Sequence, residues 1–236
     1  MPTILAIETS SELASCALLK DGAVHARESS GVRTHSASVL PMVQELLAEA
    51  GVTLQDVDAI AFGAGPGSFT GVRTACGIAQ GLAFGASLPV VPVVTLPAMA
   101  LACREQSGAS EILAVLDARM GEVYWAQYRW TGEAWLTVAE PVLSAPQAVA
   151  PAPADGLVAC GNGISAYPDV FAGKPFAQGA FTAILPHAAQ VARLAQAGLA
   201  AGHAVPAAQA QPLYLRNKVA YTSAERKVIN AAKDAA

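Results

Sequence analysis

Charge is scarce in this 236-residue chain, and so are aromatic rings. Asp, Glu, Lys and Arg make up 14% of the residues and Phe, Trp and Tyr 6%, against 53% hydrophobic residues. That composition excludes a disordered, solvated chain, and the length suffices for one large or two small domains with real cores. Basic residues are fewest in the body: residues 1–215 hold 9 Lys/Arg against 16 Asp/Glu, whereas 216–236 hold 5 against 2. A body with a net charge of −7 is a poor nucleic-acid binder by itself, because such affinity rests on phosphate neutralisation. The basic tail has two readings, a short solvated helix or a segment that touches RNA.

Paired ligands are also missing. Cys16, Cys76, Cys103 and Cys160 are widely scattered with no C-x-x-C, so they read as buried thiols and not as disulfides or zinc ligands. His25, His35, His187 and His203 form no H-x-x-x-H or H-E-x-x-H pair, which leaves a metal without a ligand set. No lysine completes a P-loop, no G-x-G-x-x-G is finished, and no serine sits in a G-x-S-x-G elbow. The apolar start Ile4–Ile7 is cut short by Glu8, so no signal peptide is read. The uncharged run 74–103 is long enough for a bilayer, yet Gly77, Gly81, Gly85, Pro89, Pro92 and Pro97 break it into helix, strand and helix. The expectation is a soluble, cytoplasmic protein that makes no membrane contact.

What is present centres on residues 59–86, AIAFGAGPGSFTGVRTACGIAQGLAFGA. An apolar strand breaks into a loop of Gly63, Gly65, Pro66 and Gly67, and a helix begins near Ser68. Strand, glycine loop and helix start can cradle an anion, because free N–H groups and the helix dipole favour negative charge there. A structural turn is the equal alternative. Further along, Gly77, Gly81 and Gly85 share one face, although each costs about 1 kcal/mol relative to alanine inside a helix. Such a stripe suits a place where another backbone approaches closely.

Taken in order, residues 3–9, 13–20 and 23–28 read as a three-strand meander with an Asp21-Gly22 turn. A helix over 36–50, a strand at 59–62, the helix 68–86, a strand at 90–94 and a helix over 97–105 follow. The pattern then restarts with strands at 111–116, 122–130 and 135–138, a helix at 145–150, a strand at 157–160, a turn at 161–163 and a helix at 186–201. Two halves of similar element order predict a duplicated α/β fold with a cleft between lobes, divided as 1–106 and 107–236. Glu8 and Asp117 end equivalent apolar strands, where an acid either holds metal-bound water or caps a turn. No His, Lys or Cys partner stands at a telling spacing beside them. The apolar positions of helices 36–50 and 68–86 wrap further than one sheet covers, which leaves either a thick core or an exposed docking face.

Several blocks resemble a known family. ILAIETS at 4–10, RTHSASVLPMV at 33–43, GAGPGSFTGVRTACGIAQGLA at 63–83, LDARMGEVYWA at 116–126 and PLYLR at 212–216 are similar to TsaB (YeaZ) proteins. The resemblance implies a two-lobed actin/hexokinase/Hsp70-like (RNase H-like) fold. It also implies a non-catalytic partner of the catalytic subunit TsaD, which transfers threonylcarbamoyl to adenosine beside the tRNA anticodon, with TsaE as ATPase. The implied partner face comprises Val39, Leu40, Val43, Leu46 and Leu47 on the first helix. On the second helix it comprises Phe69, Val72, Arg73, Cys76, Gly77, Gly81 and Leu82. Isolated chains are expected to form homodimers through that face. Glu8, Thr9, Ser10, Gly65, Gly67, Ser68 and Asp117 form the candidate weak nucleotide or anion site. ATP and a divalent metal are expected to serve the complex, with no cofactor or metal assigned to this chain. The competing reading is an autonomous ATP-dependent enzyme or a metallopeptidase-like protein of the same fold.

Overall fold

The computed structural model describes residues 1–30 and 35–216. The readings placed on Arg33, Thr34, the His35 side chain and the tail from Asn217 onward lie outside the described residues. Three strands open the chain: β1 (Ile4–Glu8), β2 (Leu13–Lys20) and β3 (Ala23–Ser30). They form an antiparallel meander, with Ile4 opposite Leu19 and Leu18 opposite His25. Its second turn holds Asp21 and Gly22 at φ of 51° and 82°, the left-handed pair that Asp-Gly supplies at little cost. After α1 (His35–Glu49), β4 (Ala59–Gly65) lies parallel to β1. Following α2 (Phe69–Ala86), β5 (Val90–Val94) lies parallel to β4.

The first sheet therefore runs β3-β2-β1-β4-β5. Its central strands are buried on both faces, as the continuous apolar runs demand. Leu5, Ile7, Ile60 and Phe62 pack under α1 and α2, while Ile4, Ala6, Ala59 and Ala61 face the opposite layer.

Helix α3 (Thr95–Ser107) leads to the second sheet, made of β6 (Glu111–Arg119), β7 (Glu122–Trp130), β8 (Trp135–Ser144) and β9 (Val158–Cys160). Its order is β8-β7-β6-β9, with β6, β7 and β8 antiparallel and β9 parallel to β6. Those are the positions and senses of β3-β2-β1-β4, so the duplication is present in the topology itself. Short helices α4 (Asn162–Ala166) and α5 (Pro168–Phe171) follow, then α6 (Ala188–Ala200).

Four expectations change. The helix read at 145–150 is only a 3₁₀ turn at Pro146–Ala148, because Pro146 and Pro151 bracket too few residues. Strand β8 runs on past 138 to Ser144. Residues 161–163 open α4 instead of forming an isolated turn. The division at 106/107 separates the sheets but not the layers. Helix α6 returns to cover the first sheet, setting Val191, Ala192 and Ala195 in one core with Ile4, Ala6 and Val91. Small alanine side chains allow that close approach. The start of α6 is anchored there too, since the Ala188 N–H donates to the Ser15 hydroxyl at 2.9 Å. Val205 then bridges Val90 at the sheet edge. All four cysteines are buried and free. Among the described residues no helix is long and apolar enough to cross a membrane.

Candidate functional site

A cleft of about 410 Å³ opens between the two sheets. It is walled by the β1–β2 turn, the first turns of α2, the β6–β7 hairpin and the segment 213–216. Of the two strand-end acids, Glu8 does not reach it. Its carboxyl is wholly buried, with Oε1 accepting the Ser10 N–H at 2.5 Å and Oε2 left without a partner. The group lies directly against Gly63, where a Cβ would come within 1.7 Å of Oε2. Burial pushes its pKa above the ordinary carboxylate value, against the pull of the hydrogen bonds from Ser10 and Thr9. An acid walled off from the cleft caps a turn; it does not hold water for a metal.

Asp117 does line the cleft, but its carboxylate is already engaged. Oδ1 accepts the Arg119 N–H at 2.9 Å and the Tyr167 hydroxyl at 3.2 Å, and Oδ2 lies 3.2 Å from the Arg119 guanidinium. Arg119 also reaches Glu12 across the cleft at 3.6 Å. The interlobe charges thus neutralise one another.

The glycine loop answers to packing. A Cβ on Gly67 would sit 2.6 Å from the Ser10 Cβ, and one on Gly71 would sit 1.9 Å from the Thr9 carbonyl oxygen. The missing side chains let α2 start hard against the β1–β2 turn. Thr9 Oγ1 donates to the Gly71 carbonyl at 2.7 Å, the Ser68 N–H donates to the Ser10 carbonyl at 2.7 Å, and Ser68 Oγ caps the Gly71 N–H at 3.4 Å. Gly65, at φ 106°, lies beneath the Leu213 carbonyl oxygen, 2.8 Å from where its Cβ would be. Two N–H groups at the helix start are therefore taken by the chain itself, and among the described residues no lysine lines the cleft. Among the described residues no group of three His, Cys, Asp or Glu could hold a metal ion. Among the described residues, those lining the cleft do not fit a metal-bound nucleotide, and no chemical step follows from one here.

The segment 213–216 ties the lobes together. The Leu213 N–H donates to the Ala64 carbonyl at 2.7 Å, Leu215 packs on the second core, and Arg216 pairs with Glu122 at 2.5 Å. Sequence reading gave no role to Glu12, Arg119, Tyr214 or Arg216. Three of them fall in the 116–126 and 212–216 blocks, whose unusual residues were the available signal.

A second feature lies on the outside of α2. Phe69, Arg73, Gly77, Gly81 and Gly85 recur every fourth residue and all are exposed. A Cβ on any of the three glycines would meet nothing within 4 Å. Beside them Phe84 is 81% exposed, and Leu40 on α1 is 45% exposed. The three glycines serve no packing among the described residues.

Residues 14–232 match the family described as TsaD: tRNA N6-adenosine threonylcarbamoyltransferase. The Escherichia coli (strain K12) protein named tRNA threonylcarbamoyladenosine biosynthesis protein TsaB is 42% identical over 226 residues, covering 92% of this chain and 96% of its own. A Haemophilus influenzae protein of the same name is 41% identical over 235 residues, covering 93% and 95%. This chain belongs to the TsaB family. The structure of YeaZ from Pseudomonas aeruginosa superposes with a TM-score of 0.83 at 40% identity, over 91% of this chain and 100% of that one. A second Pseudomonas aeruginosa structure, described as an uncharacterized protein with similarity to peptidase YEAZ, gives 0.84 at 41% identity, over 92% and 100%. The fold is the two-lobed, duplicated α/β fold of the TsaB (YeaZ) proteins.

Set beside the face that TsaB resemblance implied, the residues divide. Val39, Val43, Leu46, Val72 and Cys76 are buried in this chain's own first core and present nothing to a partner. Leu47 and Leu82 are partly buried against that core. Leu40, Phe69, Arg73, Gly77 and Gly81 are exposed. Phe84, absent from the sequence reading, extends the face together with Gly85 of the glycine stripe. Helical spacing marks which residues are apolar, and only the sheet beneath decides which of them are covered.

Proposed function

We propose that this chain is a non-catalytic partner subunit in the synthesis of threonylcarbamoyladenosine in tRNA. It docks through the outer face of α2 and the exposed edge of α1 onto a TsaD-type catalytic subunit. A TsaE-type ATPase joins that pair, tRNA is the substrate of the assembly, and ATP and divalent metal are handled by the other subunits. Without its partner, the same face pairs with a second copy.

One observation supports this above the rest. A helix carries two interior glycines, and a third in its last turn, that nothing among the described residues requires, next to an exposed Phe84. Each glycine costs helix stability, so a stripe open on all three is explained by a backbone arriving from outside. The cleft supports it from the other side, since the acids that line it, Glu12 and Asp117, both pair with Arg119. The test is calorimetric titration of the TsaD-type subunit from the same organism with this chain and with Phe84→Glu. Tight binding that the substitution abolishes supports the proposal. Equal binding by both proteins refutes the assigned face, and no binding by either refutes the partnership.

A further inference from the structure

We infer that Arg73 is a preorganised anchor for a carboxylate on the helix that docks along α2, an inference resting on the partner-subunit reading above. Seven arginines fall among the described residues. Five pair with carboxylates of this chain: Arg27 with Glu45 and Glu49, Arg119 with Glu12 and Asp117, Arg129 with Glu111, Arg193 with Glu105, and Arg216 with Glu122. Arg104 spends its guanidinium on the Gly108 and Ala109 carbonyls and the Ser110 hydroxyl. Arg73 differs. Its Nε donates to the Tyr214 hydroxyl at 2.7 Å, and its guanidinium carbon lies 3.8 Å from the centre of the Phe69 ring. Its two terminal amino groups meet no acceptor among the described residues.

Those contacts hold the side chain without satisfying it. A guanidinium stacked on one ring and fixed at Nε has little conformational freedom left to lose, and its planar fork matches a carboxylate through two parallel hydrogen bonds. Arg73 is exposed and does not itself line the cleft, whereas Phe69 and Tyr214, which hold it, do. It stands four residues before Gly77 and continues the open stripe toward the helix start. A helix laid along Gly77, Gly81 and Gly85 passes over Arg73 at one end. The glycines permit close approach, while a single cation at one end fixes the register and direction of the crossing. A protein carboxylate fits better than an RNA phosphate, because the adjoining surface is apolar and backbone-like and the body carries a net charge of −7 over residues 1–215.

The test titrates the TsaD-type subunit with wild type, Arg73→Gln, Arg73→Lys and Tyr214→Phe at low and high ionic strength. Arg73→Gln is expected to weaken binding by about 30-fold or more and to flatten its salt dependence, as loss of one partner from a buried charged hydrogen bond does. Arg73→Lys is expected to recover little, because an ammonium cannot offer the planar fork. Tyr214→Phe should cost only a few-fold, by loosening Nε. All three variants are expected to melt with wild type, since the site is exposed. Wild-type binding with Arg73→Gln within about threefold of it at low salt overturns the anchor and leaves the partnership standing. Absence of wild-type binding removes the partnership and the anchor together. Arg73-dependent binding of tRNA by the chain alone, with subunit binding unchanged, places the fork on phosphate and also overturns the inference.

Discussion

Replacing Gly77 and Gly81 by alanine separates two demands that fall on α2. Both glycines lie well inside the helix, and an added methyl meets nothing within 4 Å at either position. For the chain alone, the substitutions therefore remove a backbone-entropy cost and create no clash. At about 1 kcal/mol each, the pair should stabilise the isolated protein by about 2 kcal/mol. For a chain of this size that corresponds to a rise in melting temperature of about 4–8 °C. Docking should respond in the opposite direction. Two methyl groups between closely packed helices force them apart, at about 1–3 kcal/mol per site, or roughly ten- to hundredfold in affinity for each. The assay pairs calorimetric melting at a concentration where the chain is monomeric with titration of the TsaD-type subunit. A lower melting temperature would show that something within the chain needs those glycines. Unchanged affinity beside the higher melting temperature would show that no backbone arrives there, and the reason for the stripe would be lost.

Leu46 is 1% exposed, so Leu46→Arg is expected to lose about 4 kcal/mol or more in urea denaturation through a lost core leucine and a buried charge, whereas Phe84→Glu should stay within about 0.5 kcal/mol of wild type. Glu8 gives a pH signature. Its folded pKa lies above the ordinary value of 4.5, so its contribution is complete below that value and is lost as pH rises through the folded pKa. Glu8→Gln lacks that loss, and its stability relative to wild type should improve between acid and neutral pH. Parallel stability curves for the two proteins would contradict the buried acid. Calorimetry of the chain with ATP and magnesium is expected to show no tight stoichiometric binding; a one-to-one tight complex would return attention to the cleft around Asp117.

Much of the fold was legible because its signals are local. Period-two and unbroken apolar runs marked β1, β4, β6 and β7, and Asp21-Gly22 marked a hairpin. The restart after Ser107 marked the duplication. The return of α6 to the first sheet was not legible, because an alanine-rich face packs on many surfaces and names none. The site divided in the same way. The stripe of Gly77, Gly81 and Gly85 could be read from spacing, but α1 offered Leu40 and Leu46 on equal terms, and only the sheet beneath buried one and exposed the other. The glycines at 65 and 67 looked like an anion cradle because phosphate loops and close-packed turns ask for the same missing side chain. Pairs distant in sequence, Arg119 with Glu12 and Arg216 with Glu122, leave no local trace at all.

The central claim is that this chain contributes a surface and no chemistry. Threonylcarbamoyl transfer to tRNA is the direct measurement, using purified TsaD-type and TsaE-type subunits, ATP and the activated threonylcarbamoyl donor, with wild-type chain, with Phe84→Glu, with Asp117→Asn and with the chain omitted. Transfer that requires the chain, is lost with Phe84→Glu and survives Asp117→Asn is the predicted result. Transfer at full rate without the chain, or transfer abolished by Asp117→Asn in a folded protein that still binds its partner, would contradict it.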